Sequence, residues 1–193
     1  MELQAGLFTF SLIALAELGD KSQLVCMTLA ARRSAKAVFS GAVAAFAMLN
    51  GLAVLVGGSI SHLIAPEWAV LAAAVLFAVF GLQALLESAV AQDCGEIKVG
   101  KRVFFSAFSV IALAELGDKT QLSVAALSTQ YSAVVVWAAS TLALSTTTGV
   151  AVWLGRSVLR QMNVQLVHRL SGVLFLLMGV ALAWHAYALL TSV

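Results

Sequence analysis

Apolar residues run along this chain in six long blocks, approximately Leu3 to Ala30, Ala37 to Ile60, Trp68 to Leu86, Val103 to Leu127, Ala133 to Leu154 and Leu170 to Leu190. Most charged residues fall in the short segments between them. Each block is near the ~20 residues an α-helix needs to cross a bilayer. Strands of a membrane barrel are shorter and alternate apolar with polar positions, and these blocks do neither. The pattern predicts an all-α integral membrane protein with six transmembrane helices. Composition agrees: 62% of residues are hydrophobic and 10% charged, whereas soluble domains carry about 25% charged residues. So little chain lies between the blocks that a soluble domain, a nucleic-acid surface or a cofactor fold has no place. The bilayer is the expected partner, and function is expected inside it.

Charge then orients the bundle. Nine of the eleven Lys and Arg residues lie in the first, third and fifth connections: Arg32, Arg33, Lys36, Lys98, Lys101, Arg102, Arg156, Arg160 and Arg169. The second and fourth connections have none. By the positive-inside rule the three odd connections face the cytoplasm, which puts both termini on the non-cytoplasmic side. Glu2 stands where a signal peptide would carry basic residues, so the first block is expected to remain as a helix. Cys26 and Cys94 have no metal-site spacing and read as free thiols. The remaining positive residues, Lys21 and Lys119, sit within apolar blocks.

The chain repeats itself. Ile13 to Leu24 reads IALAELGDKSQL and Ile111 to Leu122 reads IALAELGDKTQL, at an offset of 98 residues. The same offset aligns VLFAVFG, Val75 to Gly81, with VLFLLMG, Val173 to Gly179, and sets Asn50 opposite Thr148. Three spans per half is an odd number, so the halves enter the membrane from opposite sides. The expected organisation is two inverted three-helix repeats, residues 1–92 and 103–193, joined by a cytoplasmic linker at 93–102. In transporters built this way, substrate sites lie near the bilayer midplane at the interface between halves.

The repeated string carries the chemistry. On a continuous helix Glu17, Asp20 and Lys21 share one face, and Glu115, Asp118 and Lys119 repeat the arrangement. Unwinding at Gly19 or Gly117 would also release carbonyl oxygens. Charge at mid-bilayer costs about 2.5–3.5 kcal/mol per residue, so the six side chains must face the interior and compensate one another. Fully ionised, four carboxylates and two ammonium groups leave a net charge of −2, which one divalent cation or two protons cancel. Crowding and poor solvation both favour the protonated form of a carboxylate, so a site taking either metal or protons is a chemical basis for exchange. Oxygen donors from Glu17, Asp20, Glu115 and Asp118, with Ser22, Gln23, Thr120 and Gln121 near, suit Ca, Mn and Mg.

Blander readings exist for several features. Glu17 with Lys21 and Glu115 with Lys119 have the spacing of helix-internal ion pairs, but two copies, each with an additional Asp, favour a site. The Ser145 to Thr148 run reads as interhelical hydrogen-bonding glue, and Asn50 as either glue or part of the pathway. Gly41, Gly51, Gly81, Gly149 and Gly179 read as close-packing positions, and Trp68, Trp137, Trp153 and Trp184 as interfacial anchors.

The Glu-x-Gly-Asp-Lys-[Ser/Thr] signature, present twice in a six-span chain, resembles the Golgi-type cation/proton exchanger family, which includes bacterial manganese exporters of the MneA type. The resemblance covers essentially the whole chain. It implies transport of Mn²⁺ or Ca²⁺ against protons with no cofactor, and assigns Glu17, Asp20, Glu115 and Asp118 as the metal ligands. The short loops are similar to those of bacterial members, which implies Mn²⁺ efflux across a bacterial inner membrane. Two other classes fit the residues less well. An organic-cation exporter needs only one or two carboxylates, and an intramembrane lipid-phosphate enzyme needs an Arg that these spans lack.

Overall fold

The computed structural model describes residues 2–17, 21–63, 65–86, 102–161 and 164–191. Among the described residues there are eight α-helices and no strand: α1 Glu2–Glu17, α2 Lys21–Arg32, α3 Ala35–Leu63, α4 Pro66–Leu86, α5 Val103–Glu115, α6 Lys119–Ser128, α7 Ala133–Gln161 and α8 Val164–Thr191. Four of them hold stretches long and apolar enough to span a bilayer: Ala35–Ile60, Glu67–Leu86, Ala133–Trp153 and Gly172–Thr191. These are the predicted second, third, fifth and sixth spans. α4 opens on Pro66, whose missing N–H costs nothing at a first helical position, and Glu67 follows in the first turn.

The predicted first and fourth spans are not single helices. Each is described as a pair, α1 with α2 and α5 with α6; between α5 and α6 the interruption is a turn in the repeated Glu-Leu-Gly-Asp string, and between α1 and α2 residues 18–20 lie outside the described residues. The single-face arrangement expected from a continuous helix is therefore corrected for Glu115, Asp118 and Lys119, which sit on either side of a turn. The equivalent residues 18–20 lie outside the described residues, as do Cys94 and most of the third connection.

The bundle interior is dominated by Phe46, Phe77, Phe175, Leu12, Ile13, Leu49 and Ile111. Leu7, Leu63, Leu113, Leu177 and Trp184 are exposed. In water such a surface would aggregate; against lipid it is the required one.

Residues 98 apart meet at the contact of α4 with α8. The rings of Phe77 and its counterpart Phe175 lie 5.6 Å apart. A Cβ added at Gly81 would stand 2.9 Å from the Gly172 carbonyl oxygen, and one at Gly179 would stand 3.1 Å from the carbonyl oxygen of Ala74, the counterpart of Gly172. The small residues let the two backbones touch, as expected of membrane bundles. The same exchange relates the other helices: α3 packs on α5 and α6, and α7 packs on α1 and α2. At the start of α3, a Cβ on Gly41 would lie 2.5 Å from the Phe104 carbonyl oxygen, and near its end one on Gly57 would run into Ser128 Oγ and the Ala125 carbonyl. α3 thus runs in the same direction as α5 and α6.

One expectation for α7 changes. Ser145, Thr146 and Thr147 spend their hydroxyls on carbonyls of their own helix, those of Thr141, Leu142 and Leu144, so they are back-bonded side chains and not interhelical glue. Trp137 does cross between helices: its Nε1 donates to the Ala47 carbonyl of α3 at 2.9 Å.

Candidate functional site

The local sequence explains the break between α5 and α6. Leu116 ends α5 in an extended conformation, and Gly117 follows with φ +79°, a left-handed value natural to glycine and strained for L side chains. Asp118 then caps α6, its Oδ1 accepting from the Lys119 amide at 2.7 Å. Asp is among the best helix N-caps because its side chain satisfies an amide with no carbonyl partner in the helix. The turn is closed by the Asp118 amide, which donates to the Glu115 carbonyl at 3.2 Å. Gln121 reaches back from α6, its Oε1 accepting from the Gly117 amide at 3.3 Å. In the first repeat the corresponding Gln23, buried, donates from Nε2 to the Glu17 carbonyl at 2.5 Å. Both glutamines, placed near the site from sequence, bind the backbone of the breaks.

Glu17 and Glu115 are the last residues of α1 and α5. Helix C-termini carry the negative end of the macrodipole, so Glu115, followed by the C-cap Leu116, sits where negative charge is already in excess. Both are buried, Glu17 completely and Glu115 to 4% exposure. Glu17, Glu115 and half-buried Asp118 each offer a carboxylate oxygen, and the three oxygens lie within 4.8 Å of one another. Thr120 joins the repeats directly, its hydroxyl donating to Glu17 Oε1. Three of the four predicted carboxylates thus form one cluster drawn from both repeats. Asp20 lies outside the described residues; Lys21 and Ser22 open α2, with their side chains outside the described part. Lys119 is half-buried at the start of α6.

Asn50, on α3, is buried and donates from Nδ2 to Thr141 Oγ1 of α7 at 3.1 Å. A groove of about 560 Å³ on α4, lined by Trp68, Leu71, Val75 and Leu122 among others, is apolar and contains none of these residues. Sequence reasoning missed the splinting of the breaks by glutamine. The signal was present, since Gly followed by Asp is the order in which one helix stops and the next is capped.

A helical chain with apolar outer faces and buried carboxylates at interrupted helices is a polytopic membrane protein with the equipment of an ion transporter. Comparison with known proteins narrows the class. The family described as Divalent cation/proton antiporter GDT1 matches residues 5–92 and 103–189, and the chain belongs to that family. It is similar to the Divalent cation/proton antiporter GDT1 of Saccharomyces cerevisiae, with 22% identity covering 96% of this chain and 85% of the yeast protein. It is also similar to a Vibrio cholerae protein provisionally named a manganese exporter, with 28% identity covering 89% of this chain and 86% of that one. GDT1-like protein 4 of Oryza sativa subsp. indica is 28% identical over 93% of this chain and 72% of its own length. No solved structure matches the chain significantly.

Proposed function

We propose that this protein exports divalent cations, Mn²⁺ first, from the cytoplasm in exchange for protons, with Glu17, Asp20, Glu115 and Asp118 holding the cation near the bilayer midplane. The observation that carries the reading is the convergence of Glu17, Glu115 and Asp118 within 4.8 Å. A hard cation with oxygen ligands at about 2.3–2.6 Å holds two of them up to about 5 Å apart, so one ion is able to touch all three groups. Glu115 lies at a negative helix end, which raises the demand for a neutralising cation or protons.

Inverted repeats are the second part of the proposal. Its support is the meeting of counterparts at Phe77 and Phe175, the exchange of helix contacts between halves, and two separate family matches of nearly equal length. With both termini outside, as the loop charges favour, rocking of the halves would open the site alternately to either side. A bacterial inner membrane is the proposed location, in line with the similarity to the Vibrio protein. Ca²⁺ is the alternative substrate, since an all-oxygen site accepts both ions.

The substrate is tested by deleting the protein, challenging cells with Mn²⁺, Ca²⁺, Zn²⁺ and Co²⁺, and measuring cellular metal. Accumulation of Mn²⁺ is expected. Unchanged manganese with raised calcium would transfer the assignment to Ca²⁺.

A further inference from the structure

With one oxygen from each, the carboxylates fill at most four positions of a coordination sphere. Ca²⁺ takes six to eight oxygen ligands and smaller hard cations about six, while the formal charge of a divalent ion is already met by the four carboxylates and two lysines. Any additional protein ligand is therefore best neutral. Asn50 has the required character. It is 1% exposed, and its Oδ1 is buried with no hydrogen-bond partner among the described residues. Leaving such an acceptor unsatisfied is costly. Its Nδ2 is committed to Thr141, which leaves the oxygen side of the amide for something else.

Position decides what that is. Asn50 stands seven residues before Gly57, two turns and about 10 Å back along α3, and within about 20° of it around the helix. Gly57 marks the face of α3 that touches Ala125 and Ser128 of α6. Because the two helices run in the same direction, stepping back equally along α6 reaches positions 118–121. These hold Asp118, which caps α6, and Thr120, whose hydroxyl is on Glu17. Asn50 is thus level with the carboxylate cluster, on the α3 face toward it.

We propose that the Asn50 side-chain oxygen is a neutral ligand of the transported cation, supplied by α3 and held in orientation by Thr141 of α7. The assignment rests on the cation-transport reading above. Its counterpart at an offset of 98 is Thr148, so the amide breaks the near-symmetry of the site. Movement of α3 relative to α6 would withdraw one ligand and loosen the ion.

Titration calorimetry on the purified full chain tests the assignment, with Ca²⁺ and Cd²⁺ as separate probes and Glu17→Gln as a control. Asn50→Cys replaces the hard oxygen by sulfur, which favours soft ions. It is expected to weaken Ca²⁺ binding at least about tenfold, the scale on which even supporting groups around a metal act, and to raise the Cd²⁺ to Ca²⁺ affinity ratio. Asn50→Asp keeps an oxygen in place and is expected to retain Ca²⁺ binding, so loss as severe as in Asn50→Cys would overturn the proposal. If wild type binds Ca²⁺, Glu17→Gln abolishes it, and both Asn50 variants keep the wild-type ratio, the ligand assignment falls alone. If wild type binds neither ion and does not bind Mn²⁺ either, the transport reading falls and takes this one with it.

Discussion

Replacing Gly117 by alanine isolates the cost of the break between α5 and α6. The residue has φ +79°, and a Cβ built there meets nothing within 4 Å. Steric clash therefore contributes nothing, and the penalty is the backbone strain of an L residue in the left-handed region, about 1–2 kcal/mol. That corresponds to a factor of about 5–30 in the ratio of folded to unfolded chain, and to a fall in Tm of about 2–8 °C for a chain this size. Asparagine tolerates the left-handed region better than alanine, and β-branched residues tolerate it worse. The expected order of stability is Gly, Asn, Ala, Val. Gly58 supplies the control: a Cβ there also meets nothing within 4 Å, but the position is helical, so Gly58→Ala should stabilise by up to about 1 kcal/mol. Thermal unfolding of the purified variants in detergent, with and without Ca²⁺, gives the values. Stability of Gly117→Val equal to wild type would refute the reasoning, because it would mean that the break does not depend on the left-handed turn.

Two further outcomes follow from close contacts. Gly57→Ala should destabilise by about 1–3 kcal/mol, as overpacking does, since the added methyl group meets Ser128 and the Ala125 backbone; thermal unfolding checks this, and a double variant with Ser128→Gly should recover only part, because the carbonyl remains. Thr120→Val removes the hydroxyl that donates to Glu17, and hydrogen bonds to charged groups are worth about 1.5–3 kcal/mol; exchange should fall by an order of magnitude or more, with Thr120→Ser retaining it, measured as initial rates in proteoliposomes. Because protons and cation compete for the same carboxylates, the half-saturating Mn²⁺ concentration should fall as pH is raised on the binding side, and a pH-independent value would contradict shared occupancy.

The membrane class and the pairing of Glu17 with Glu115 were legible in the sequence, because apolar block length and a repeated twelve-residue string are strong local signals. The broken helices were harder to read. Ala, Leu, Glu and Lys around the break all favour helix, and one Gly costs only about 1 kcal/mol, so periodicity carries straight through Gly117. What stops α5 is that glycine together with the Asp118 cap and the Gln121 splint. Trp137 reads as an interfacial anchor because its partner, the Ala47 carbonyl, is 90 residues away and no local pattern encodes such a pairing. Ser145, Thr146 and Thr147 misled for the opposite reason. Short hydroxyl side chains reach their own preceding carbonyls more easily than those of a neighbouring helix.

Exchange itself is tested most directly in proteoliposomes containing the purified chain, a trapped pH dye and an imposed Mn²⁺ gradient. Wild type should move protons against Mn²⁺ when the gradient is applied, and Glu17→Gln and Asp118→Asn, each removing one carboxylate from the cluster, should not. Mn²⁺ movement without proton movement in wild type, or undiminished exchange in both variants, would contradict a shared carboxylate site for the two ions.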